Sequence, residues 1–277
     1  MKLKTKRLPR HSKKGVPRSD TIKTMIKFFR HIRQNMIKEN KFSKYFLYAI
    51  GEIILVVIGI LIALQINNWN ENSKQRHIEQ GYLIALKEEF KHNLLELESV
   101  MNINKYNADN ALKLSNLMGP DSPEITEKEF ATLAMNMTNL EVQYRPNKAV
   151  LDEIISSGKL AIFRNNKLKF ALSSSNGILH KVKFQEEEHS VVRMQVIAIM
   201  NAKGNAKKMI LDAGGDTFGV RESKFKLGNL QLLQSQKFEN ALIDFILTAR
   251  YLNENYYSDL KKEIKLILEL IDIELAE

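Results

Sequence analysis

Apolar positions along this chain recur with a helical period almost everywhere, and in one stretch the period disappears because nearly every position is apolar. From Tyr45 to Leu64 there are twenty residues with Glu52 as the only charge. Twenty residues rising about 1.5 Å each give about 30 Å of helix, the thickness of a bilayer's hydrocarbon core. Tyr45 and Tyr48 stand at one end and Trp69, among Asn67, Asn68 and Asn70, at the other, where interfacial aromatic anchors belong. The pattern predicts a transmembrane helix over residues 45–69. The competing assignment, a buried core helix, fits poorly with a segment apolar on every face and aromatic at both ends.

Within that span the spacing aligns Ala49, Glu52, Val56, Gly59 and Ala63 on one face, with Ile, Leu and Val opposite. Small residues let two helices approach closely in lipid, so this face is the expected site of association with a second copy or a partner's helix. An ionisable group about two turns inside a bilayer is costly. Glu52 is therefore expected either to face a neighbour or to snorkel toward headgroups near Lys44.

Outside the span the period is that of packed helices. Leu83, Phe90, Leu94, Leu97, Met101, Ala108 and Ala111 repeat at three- and four-residue spacing, and Gly119-Pro120 supplies the stop, so the helix is expected to continue past Trp69 to about Met118. Thr126-x-x-Glu129 is a capping box for a short helix to about Met137, and Pro146-Asn147 opens another that closes near Gly158. A helix from Asn165 or Asn166 is predicted to reach Ile210, with Gly177 a possible kink. A long closing helix carries Phe238, Leu242, Phe245, Ala249, Leu252, Tyr256, Leu260, Ile264, Leu268, Ile271 and Leu275 on one stripe. No strand pattern stands out. The expected fold is all-α: a single N-terminal transmembrane helix followed, over residues 70–277, by an extracytoplasmic antiparallel helical bundle.

Two patches resemble a known family. The run Ala49-Ile50-Gly51-Glu52-Ile53, through Gly59, to Gln65-Ile66-Asn67-Asn68-Trp69-Asn70-Glu71 is similar to the signature of bacterial single-span membrane proteins classed only as a domain of unknown function. Ser156-Ser157-Gly158-Lys159-Leu160-Ala161-Ile162-Phe163-Arg164-Asn165 is a second matching patch. The resemblance extends from Met25 to the C-terminus. It implies the architecture and brings no activity, substrate or catalytic residue.

Charge adds a direction. Residues 1–44 hold fifteen Lys or Arg against Asp20 and Glu39, leaving 27 basic and 30 acidic residues in the rest of the chain. Basic residues collect on the cytoplasmic side of a span, which predicts the N-terminus inside and residues 71–277 in the periplasm of a bacterial inner membrane. Beside a span, a basic tail points to an anionic membrane surface and not to nucleic acid. Residues 1–20 carry no hydrophobic period and are expected to be disordered, and Met25 is an alternative start. Residues 21–44, opened by Asp20 as N-cap, place Ile22, Met25, Ile26, Phe29, Ile32, Met36 and Ile37 on one helical face and read as a basic amphipathic helix on anionic headgroups. Packing on a partner is the other option for it. The apolar run lies too far in and is too long for a cleaved leader, so it reads as an uncleaved anchor. The lack of cysteine decides no compartment.

Candidate chemistry is sparse. There is no Gly-rich phosphate loop, no H-E-x-x-H and no serine elbow, and the six histidines lack paired ligand spacing. Glu186-Glu187-Glu188-His189 is expected to form a solvated face, and Arg145-Pro146-Asn147 and Arg164-Asn165-Asn166 to be polar helix starts. Asp212 and Asp216 around Gly214-Gly215 lack the alternating ligands of a calcium loop and read as surface. No catalytic, cofactor or metal residue is assigned. The expectation is a non-enzymatic, membrane-anchored envelope protein that senses or relays through a self-associating span. The alternative is a membrane-anchored scaffold or accessory subunit, with a hydrolase a distant third.

Overall fold

The computed structural model describes Lys27, Arg30 and residues 42–121, 124–215 and 219–276, the side chains of 42–45 excepted. The expectations for residues 1–20, the Asp20 cap, the Met25 start, most of the basic helix 21–44, the Tyr45 side chain and Asp216 lie outside the described residues. Lys27 and Arg30 are helical and exposed. All regular structure among the described residues is helical. Contacts divide the chain into two units, Met1–Ser73 and Lys74–Glu277.

Helix α1 runs Phe42–Ser115, 74 residues without interruption. Among the described residues it is the one helix long and apolar enough to cross a membrane. In the first unit every residue from 53 to 73 is exposed, including Ile53 at 64%, Leu55 at 73% and Leu61 at 58%. So much contiguous apolar surface is not stable against water and calls for an apolar solvent or a partner. Helix α1 ends at Ser115, three residues before the expected Met118, and Gly119 N donates to the Leu233 carbonyl beyond it.

In the second unit the remainder of α1 is joined by α2 (Glu127–Thr138), α3 (Ala149–Ser156), α4 (Asn166–Lys203), α5 (Ala206–Asp212), α6 (Gln236–Tyr251) and α7 (Ser258–Ala276), with 3-10 turns at Lys159–Ile162 and Leu230–Gln234. Two hydrophobic cores hold it. The first gathers Leu83, Leu86, Phe90 and Leu97 of α1, Leu151 and Ile154 of α3, Leu168 and Leu172 of α4, and Leu260, Ile264 and Ile267 of α7. The second gathers Ala111 and Leu114 of α1, Phe130 and Met137 of α2, Val196 and Met200 of α4, and Phe238, Leu242 and Phe245 of α6. Helices α1 and α4 therefore pass through both cores, while α7 completes the first and α6 the second.

The Thr126–Glu129 capping box forms at α2 as expected, and Asn165 caps α4 by accepting from Lys167 N and Leu168 N. Helix α3 begins at Ala149, two residues later than Asn147. Three expectations are corrected. Helix α4 stops at Lys203, not Ile210, because Gly204 and the Asn205 cap start α5; Gly177 lies inside α4 without breaking it. The closing helix is two helices joined by a π turn, Leu252–Tyr257. Asn104 of α1 donates to the Ala249 carbonyl (2.8 Å) and to Asn253 Oδ1 (2.9 Å), while Asn253 returns a bond to the Met101 carbonyl (3.0 Å). A side chain that captures a helical carbonyl opens the ladder by one residue. Hence Tyr257, not Tyr256, is fully buried, and Ile267 and Leu270 join the core while Leu268 is only half-buried.

Candidate functional site

The five residues of the expected association face lie on α1 within a sector of about 80°, at 100° of turn per residue. Ala49 and Glu52 are half-buried, Val56 is 54% exposed, and Gly59 and Ala63 are exposed. A Cβ built at Gly59 meets no atom of the described residues within 4 Å, so there is open space at that position. Gly51, also small, falls outside the sector. The anchors Tyr48 and Trp69 are 63% and 74% exposed.

The second family-like patch, 156–165, serves the fold. Gly158 caps the turn after α3 in the left-handed region (φ 71°), which a side chain would strain. Lys159 bonds Tyr82, whose hydroxyl donates to Glu153 Oε1 at 2.7 Å, and Phe163 is buried. Arg164 N donates to Glu79 Oε1 (2.7 Å), a carboxylate only 1% exposed that also takes Arg76 at 2.9 Å.

Such bonds recur. Glu89 accepts from Val150 N (2.7 Å) and Leu151 N (3.2 Å) at the start of α3, and burial raises its carboxyl above the usual range against the pull of those two bonds. Glu127 accepts from Asn229 N (3.0 and 2.9 Å). Glu186 accepts from Tyr144 N (2.8 Å) and from the Tyr257 hydroxyl (2.6 Å). Burial raises Glu186, while those hydrogen bonds and then the charges of Lys183 and Arg145 oppose the rise. The tyrosines 144 and 257 are pushed up in turn, mainly by burial.

The expected solvated face at 186–189 is therefore half wrong. Glu187 and Glu188 are exposed, but Glu186 and His189 sit on the inward side of α4 at 5% and 1% exposure. His189 lies 4.8 Å from the Phe245 ring, centre to centre, and its Nδ1 is 3.0 Å from Thr248 Oγ1. The Thr248 proton goes to the Asp244 and Phe245 carbonyls, so Nδ1 is the donor and Nε2 the bare nitrogen. Burial, with Arg193 second, lowers this imidazole to about 4. Among the described residues no group of three or more His, Asp or Glu is placed to hold a metal ion.

One concavity in the second unit combines shape with charge. The irregular segment 139–148 and α4 enclose a groove of about 340 Å³. Arg145, Lys148, His180 and Lys183 line it, with Tyr144, Pro146, Leu179 and Val182 as its apolar wall, and no acid is among the lining residues. The wall is tied down: the Tyr144 hydroxyl donates to the Asn93 carbonyl (3.1 Å), and Asn93 and Asn147 exchange two bonds of 2.7 and 2.8 Å. The sequence pattern marks Arg145-Pro146-Asn147 as a polar helix start. Asn147 does accept from Ala149 N at 3.1 Å, but Arg145 lines the groove. The available signal was the aperiodic run before Ala149, rich in polar residues, opposite a His-x-x-Lys pair on one helical face.

No curated protein and no solved structure matches the chain. A family of unknown function (DUF6090) matches over residues 52–210, a narrower range than Met25 to the C-terminus. That range takes in residues 52–64 of the apolar run, most of both cores, the Gly158–Arg164 junction and the groove. Covering more than half of the chain, it makes this protein a member of that family.

Proposed function

We propose that the protein is a non-enzymatic, single-span envelope protein of a bacterial inner membrane, with residues 1–44 cytoplasmic and the Lys74–Glu277 unit, an antiparallel helical bundle, in the periplasm. The span associates along Ala49, Glu52, Val56, Gly59 and Ala63, and the bundle senses or relays through it. One observation carries the reading: a single helix, α1, holds both the bare apolar run and the core positions Leu83 to Leu114. The charge bias before the span sets the orientation. A reporter active only outside the cytoplasm, fused after Glu277, gives signal; activity of a cytosol-only reporter at that position overturns the topology. The accessory-subunit reading draws on Phe170, Phe184 and Phe225, exposed at 73%, 62% and 82%. Recovery of a stoichiometric partner from detergent-solubilised membranes would favour it.

A further inference from the structure

We propose that the groove between segment 139–148 and α4 is a binding site for a small organic anion, a carboxylate or phosphate ester carrying a ring-sized apolar part. The inference goes beyond the topology reading, because every residue it uses belongs to the Lys74–Glu277 unit. About 340 Å³ falls in the range of small-molecule sites. Its cations come from both walls, Arg145 and Lys148 on the segment and Lys183 on α4 with the His180 ring beside it, so an anion between them meets donors from two sides.

Two of these cations already have acidic neighbours, Arg145 with Glu141 at 2.9 Å and Lys148 with Asp152 at 3.2 Å. Both are solvent-facing pairs four residues apart in sequence, which contribute little and exchange readily for a better anion. Among the described residues Lys183 and His180 make no ion pair. Half-buried Pro146 and Leu179, backed by Tyr144 and Val182, provide apolar contact for a ring or short alkyl group, which distinguishes this site from a bare basic patch. The segment is also fixed in advance. Tyr144 and Val142 are buried at 3% and 5%, and Tyr144 is bonded through its N–H to Glu186 and through its hydroxyl to Asn93. An aperiodic stretch held this tightly loses little further entropy when a ligand arrives.

The experiment is calorimetric titration of the full chain, in zwitterionic detergent, with phenyl phosphate. Saturable binding is expected, weakened about tenfold or more in the double variant Arg145→Gln/Lys183→Gln, as loss of two charge-assisted contacts requires. Both positions are exposed, so the variant should melt with the wild type. Benzyl alcohol should not bind. Equal affinity in wild type and double variant overturns the site, since the variant keeps the basic residues 1–44 and binding there would leave the two curves alike. Absence of saturation at about 10 mM, the weak end of specific binding, overturns it as well. Inorganic phosphate binding as tightly as phenyl phosphate removes the apolar component, and displacement by phosphatidylglycerol micelles assigns the cations to lipid; either result overturns the small-ligand assignment. None of these outcomes touches the topology reading, which the Glu277 reporter tests separately.

Discussion

At the scale of single residues, this protein uses buried or half-buried carboxylates and amides as fasteners for its connections. Glu79, Glu89, Glu127 and Glu186 accept from the backbone N–H groups of Arg164, Val150, Leu151, Asn229 and Tyr144. An unpaired buried N–H costs about 1–3 kcal/mol, so each bond protects a junction that no helix or strand ladder would satisfy. These residues are illegible in the sequence, because a glutamate on a helix reads as solvent-facing until its partner, forty or more positions away, is known. His189 was misread for the same reason. Its depressed imidazole has a definite consequence. The folded state resists the proton that the unfolded chain accepts near pH 6.5, so stability is full above that value and falls as pH drops toward about 4. Glu186 and Glu89, raised by burial, act in the opposite sense, gaining stability as pH falls. Comparison with His189→Leu isolates the histidine: relative to that variant, wild type should lose up to about 3 kcal/mol between pH 7 and pH 4. Parallel stability profiles from urea unfolding would reject the assignment.

At the scale of elements, periodicity located the helices well and their interruptions poorly. The capping box, the Asn165 cap and most of the α1 stripe follow from local chemistry, and local chemistry is what a sequence displays. The π turn does not follow, because its cause is Asn104, about 150 residues away on another helix. The turn takes a step of five positions from Leu252 to Tyr257 where an α-helix takes three or four. Deleting exposed Asn255 should restore α spacing, keep Leu260 and Ile264 on the core face, and cost only the Asn253 bonds. Deleting exposed Lys265 should instead turn Ile267, Leu270 and Ile271 about 100° out of the core, losing several kcal/mol. Melting followed by circular dichroism separates the two, and equal destabilisation would contradict this account of the turn. For the proposed span and its association face, Gly59→Ile should force neighbouring helices apart and weaken association about three- to thirty-fold in a membrane dimerisation assay, from about 0.6–2 kcal/mol of lost contact. Ile54→Leu, on the opposite face, should not. Equal association of both variants would make the small-residue face incidental.

At the scale of the whole molecule, fold class, the apolar helix and family membership were legible, since each rests on patterns contiguous in sequence. The two cores in place of one, and the groove, were not, because they depend on which helices meet. Nothing in the spacing of Leu83 and Leu114 tells that they serve different cores, or that Arg145 and Lys183 face one hollow. The carboxylate fasteners also determine how the second unit breathes. An amide in an aperiodic connection normally trades its hydrogen for deuterium quickly. The Tyr144, Arg164 and Asn229 amides cannot do so until Glu186, Glu79 or Glu127, anchored on another helix, lets go. Their exchange should therefore keep pace with that of the core helices, and the connections of this protein should be as slow to open as the elements they join.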